Sequence, residues 1–69
     1  MGNPFKWRTK LFQTMLDQGY SQNTRLLISE KMKDMTDQQK EEKSAQMYTM
    51  LKESKTEQEF ISQIQGSQM

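Results

Sequence analysis

Leu11-Phe12-Gln13-Thr14-Met15-Leu16-Asp17-Gln18-Gly19-Tyr20-Ser21 is the stretch that decides the fold. Its apolar residues recur at three- and four-residue spacings, the signature of an amphipathic helix. Gly19 then supplies a stop, because glycine alone takes left-handed backbone without steric cost. Ser21 follows as the cap of a new helix. A helix, its stop and the next start in so short a span predict an all-α protein with tight connections.

Upstream, Asn3 reads as an N-cap and Pro4 as the first helical residue, where its missing N–H costs nothing. The first helix is therefore expected over 4–18. Phe5 joins the apolar face of Leu11, Phe12, Met15 and Leu16, with Trp7 at the edge of that face. Arg8 projects into its middle. Either its aliphatic stem snorkels or its guanidinium awaits an acidic partner. This helix is the one expected to pack least completely against the rest.

Downstream, the second helix is expected over 22–35, with Ile28, Met32 and Met35 inward and Leu26 off that stripe. Thr36-Asp37-Gln38-Gln39 is a capping box in its Gln form and opens a third helix over 37–53. The first turns of this helix, Asp37 to Lys43, are wholly polar and are expected to stand in solvent. Its inward residues are Ser44, Met47, Tyr48 and Leu51, with Met50 pointing away. Thr56-Glu57-Gln58-Glu59 repeats the capping pattern and opens a fourth helix over 57–65, with Phe60, Ile61 and Ile64 inward and a stop at Gly66. The tail 66–69 is expected to fray. The whole reads as one domain, 1–69, a small bundle of three to four short helices. No Val, no alternating stretch and no internal repeat argues otherwise.

Sixty-nine residues with 32% hydrophobic content and a mean hydropathy of −1.06 can form only a small core. No Cys means no disulfide, and with no His either there is no ordinary structural zinc site. Stability must then come from well-matched helix packing, self-association or a partner, so a homo-oligomer or a partner-dependent fold is expected. No apolar run reaches the ~18 residues of a membrane span, and no signal-peptide core is present. A cytoplasmic location is the default expectation.

The near-neutral net charge of +1 conceals a division. Residues 1–33 hold six basic and two acidic side chains, and residues 34–69 hold four basic and seven acidic ones. Trp7, Phe5 and Phe12 all lie in the basic half, interleaved with Lys6, Arg8 and Lys10. One basic, aromatic end and one acidic end suit a molecule that docks on another.

Enzymatic function is not expected. Without His or Cys, a base or nucleophile would have to come from carboxylates, lysines or hydroxyls, and these sit in the mixed pattern of exposed helix faces. The three glycines are too dispersed for a phosphate loop. No metal, cofactor or small-molecule substrate is expected. The leading expectation is a regulator, adaptor or chaperone-like factor that binds another protein. Its anchors would be Phe5, Trp7, Arg8, Phe12 and Leu16 on the first helix, with Leu26 and Met50 as surplus apolar groups. Seven methionines add adaptable surface, although each would fill a core equally well.

The alternative expectation is a nucleic-acid-binding transcriptional regulator. The stretch 11–21 leads into a second helix as a helix-turn-helix would. Lys6, Arg8 and Lys10 would contact phosphates, while Gln22, Asn23 and Arg25 would reach base edges. Against it stand the acidic segment after Lys33, the run Leu26-Leu27-Ile28 and the small net charge. The plainer reading of Gly19-Tyr20-Ser21 is a stop followed by a cap. Membrane-surface binding by the first helix is less favoured, since only three charges attract anionic lipid and Asp17 opposes them.

Overall fold

Each helix of this protein gives the core one i, i+4 pair. Leu11 and Met15 come from the first helix, Ile28 and Met32 from the second, Met47 and Leu51 from the third, and Phe60 and Ile64 from the fourth. All eight are buried. Residues four apart stack on one helix face, so each pair is the narrowest stripe that still faces a common centre.

The computed structural model describes residues 5–66, and the expected cap Asn3, the helix-opening Pro4 and the tail 67–69 lie outside them. Among the described residues there are four helices, α1 (Lys6–Asp17), α2 (Gln22–Met32), α3 (Asp37–Glu53) and α4 (Glu57–Gly66), and no strand. Their Cα radius of gyration is 11.3 Å. A folded chain of this length is expected near ~11 Å, so the helices pack as one body.

Gly19 ends α1 as anticipated, with φ +76°. The Gly19 amide donates to the Leu16 carbonyl at 3.0 Å and the Tyr20 amide to the Met15 carbonyl at 2.9 Å. Those two bonds define the Schellman motif, whose apolar contact is made here by Tyr20 lying against the core. The Tyr20 ring also meets Phe60 of α4, with ring centroids 5.8 Å apart. Burial pushes the Tyr20 phenol above its ordinary pKa, and the charges of Glu57 and Glu59 push it further.

Three boundaries shift. The first helix opens at Lys6 rather than at 4, with Phe5 as its N-cap. The second helix stops at Met32 rather than 35, because the chain tightens into turns in which the Lys33 amide bonds Glu30 and the Met35 amide bonds Met32. Met35 is left half-buried against the core, and Thr36 is extended at ψ 165° to cap α3. The fourth helix runs through Gly66 instead of stopping before it. The capping box of α3 is complete, with both the Thr36 and the Gln39 halves formed. At α4 the Thr56 hydroxyl accepts from the Glu59 amide at 3.1 Å.

Three expectations are corrected. The first helix is not loosely attached, since it packs closely on α3 and buries Leu11 and Met15 completely. The first turns of α3 are not wholly solvated, because Lys40, Glu41 and Lys43 are half-buried, Glu41 against the start of α1. Met50 does not point away, since it packs half-buried against the core.

Candidate protein-binding surface

The surface of α1 is set by how its start is held. Phe5 occupies the N-cap position and offers no side-chain cap. The free amides of the first turn are instead taken by a carboxylate from α3. Glu41 accepts from the Trp7 amide at 2.8 Å and from the Arg8 amide at 3.1 Å. The Arg8 Nε donates to the same carboxylate at 3.4 Å, and its Nη2 lies 3.6 Å from Asp37. A carboxylate at a helix N-terminus meets both unpaired donors and the positive end of the dipole. Burial tends to raise the Glu41 pKa. The Trp7 and Arg8 amides and the Arg8 guanidinium outweigh it and hold the carboxyl below its usual range.

This arrangement answers the question posed by Arg8. The carboxylate expected from a partner is supplied by Glu41 of the same chain. The guanidinium carbon also sits 4.2 Å from the centre of the Phe5 ring, and Arg8 is 18% exposed. Arg8 is thus a strut between α1 and α3.

The same device recurs at α2. Ser21 stands at the N-cap position, but its hydroxyl does not cap the helix. It donates to Glu57 of α4 at 3.0 Å, the Ser21 amide donates to the same oxygen at 2.9 Å, and so does the buried Thr24 hydroxyl. The Thr24 hydroxyl and the Ser21 amide and hydroxyl hold the Glu57 carboxyl below its usual pKa, against a smaller upward push from burial.

With Leu11 and Met15 inward, the remaining residues of α1 divide between two flanks. At 100° per residue, Phe5, Phe12 and Leu16 fall in one line about a quarter-turn from the core. Phe5 is 44% and Leu16 55% exposed, and Phe12 is half-buried. Arg8 and Thr9 fill the spaces between them, and a shallow hollow is lined by Phe5, Arg8, Thr9 and Phe12. Leu26, 54% exposed, lies on the side of α2 opposite the buried Thr24, Ile28 and Met32, away from this line. Met50 is not part of it either.

The opposite flank carries Trp7, half-buried against Tyr48 of α3 with ring centroids 5.8 Å apart. Lys6 and Lys10 are exposed beside these rings. Gln22 and Asn23 are exposed on the first turn of α2 and Arg25 is half-buried. Of the residues expected to contact nucleic acid, Arg8 shares its surroundings with Glu41 and Asp37 and the start of α2 with Glu57, whereas Lys6 and Lys10 lie over aromatic rings.

The sequence did not single out Glu41, Glu57 or Lys52. Glu41 and Glu57 sit in charged runs that look solvated, and their amide partners are more than thirty residues away. Among the described residues no helix is long and apolar enough to cross a membrane, and no acidic cluster could hold a metal ion. Comparison with protein-family models, with curated proteins and with solved structures finds no match to this chain.

Proposed function

We propose that this chain acts by binding another protein, as a regulator or adaptor, through the line Phe5, Phe12 and Leu16 on α1. The observation that carries this reading is the exposure of Phe5 and Leu16 at the two ends of one straight apolar line. From Phe5 to Leu16 a helix rises about 17 Å, some three turns. The occupant that fits such a line is an amphipathic helix of the partner laid alongside, anchored by residues one and two turns apart. Glu41 and Arg8 support the line from behind by fixing α1 on α3, so little ordering is left for the moment of binding.

The nucleic-acid reading is second, because Glu41 and Asp37 already pair Arg8 and Glu57 holds the start of α2, which leaves only Lys6 and Lys10 of the three cations expected to meet phosphates. Leu16→Glu tests the leading reading, since an exposed position can take the charge without loss of fold. Wild-type and variant proteins of equal helicity are used as bait in host extract. Proteins captured by the wild type and lost from the variant support the α1 line. Identical captured sets overturn it.

A further inference from the structure

The second flank of α1 holds two aromatic rings and three ammonium groups in one place. Lys6 Nζ lies 5.2 Å from the centre of the Trp7 ring. Lys10 Nζ lies 5.6 Å from Trp7 and 5.5 Å from Tyr48, bridging both rings. Lys52 Nζ, from α3, lies 5.5 Å from Tyr48. All three lysines are exposed, and none makes an ion pair among the described residues. Trp7, Tyr48, Thr49, Lys52 and Glu53 line a surface cleft, around which the three lysines outnumber the one carboxylate.

We infer that this Lys6–Lys10–Lys52 cluster over Trp7 and Tyr48 is a docking site for an acidic, apolar-containing segment of a protein. Three observations point to that chemistry. The first is charge: three cations on one short surface, drawn from two helices, attract a polyanion. The second is preorganisation. Ammonium groups seated over ring faces are already ordered by the cation–π attraction, so a carboxylate meets them in place. The third is that the ring faces are already occupied. A nucleobase would have to displace the ammonium groups in order to stack, whereas carboxylates only approach them, and an apolar side chain can enter the cleft between Trp7 and Thr49.

This site is separate from the Phe5, Phe12, Leu16 line and does not depend on it. The test is fluorescence titration of the full chain with a short labelled synthetic peptide that alternates glutamate with leucine and phenylalanine, with labelled oligothymidine as the competing class. Saturable peptide binding is expected. Lys10→Glu should weaken it by about tenfold or more, and Lys10→Arg should leave it within about twofold. Leu16→Glu should bind the peptide as the wild type does, which separates failure here from failure of the α1 line. Should Lys10→Glu not fold, Lys52→Glu on α3 reads the same loss. Absence of saturable peptide binding, binding indifferent to these lysine reversals, or tighter binding of oligothymidine than of peptide would each overturn the inference.

Discussion

Replacing Glu41 by Ala removes the hydrogen-bond acceptor for two amides at the start of α1 and for the Arg8 guanidinium. Loss of a helix cap costs about 1 kcal/mol. Leaving Arg8 mostly buried, with only the 75%-exposed Asp37 at 3.6 Å, adds about 1–2 kcal/mol for a charge without its hydrogen bond. The sum is about 2–3 kcal/mol, taken low because water reaches the edge of the pair. A domain of this size commands only about 3–5 kcal/mol in all. The melting temperature should then fall by about 10–20 °C, followed by far-ultraviolet circular dichroism. Glu42→Ala is the control. Glu42 is the exposed neighbour of Glu41, so its loss should stay within about 0.5 kcal/mol. Equal melting temperatures for the two variants would refute the assignment of Glu41 as the tie between α1 and α3.

Acid should destabilise the protein in a defined window. The Glu41 and Glu57 carboxyls have folded pKa values below their unfolded ones, so their contribution is complete above the unfolded carboxylate value of about 4.3 and is lost as pH falls through the folded values. Urea titrations from neutral pH downward should show stability level until about pH 5 and falling below it, less steeply in Glu41→Gln. Gly19→Ala meets no steric obstacle in space but must hold φ +76°, so it should cost about 1 kcal/mol and lower the melting temperature by about 4–8 °C. A melt that does not move would show that the left-handed turn is dispensable. The small core motivates one more measurement. If the chain self-associates, its melting temperature rises with protein concentration, and sedimentation as a monomer with a concentration-independent melt would remove the oligomer.

The helices were legible in the sequence because stop and cap chemistry is local. Gly19, Thr36 and Thr56 each announce a boundary through bonds to neighbours at most a few residues away. The inward pairs were legible for the same reason, since Ile28/Met32 and Met47/Leu51 obey helical spacing. What escaped the sequence was long-range and polar. A carboxylate in Lys40-Glu41-Glu42-Lys43 looks like its solvated neighbours until the fold brings the start of α1 against one of them. Ser21 was a cap by type, yet Glu57 draws its hydroxyl away. Met50 was misplaced because the i, i+4 spacing describes one neighbour, while a residue on the border of two interfaces can be covered from the side. The lysine cluster was half visible: Lys6 and Lys10 stood out beside Trp7, but Tyr48 and Lys52 join them only through the packing of α1 on α3.

Both carboxylate ties cross the same frontier. Glu41 reaches from α3 to α1, and Glu57 reaches from α4 to α2. Every such bond thus runs from the acidic half of the chain to the basic half, and the turn at 33–36 is the only covalent link between them. Cut there, the molecule becomes two helical hairpins of opposite net charge. Each hairpin carries one member of every tie and half of the core. The acidic hairpin caps its own helices with Thr36 and Thr56, the basic one loses the carboxylates at the starts of α1 and α2, and each is drawn to the other at long range. Such a chain is suited to fragment complementation: two separately made hairpins should find one another in solution, and salt should slow their meeting.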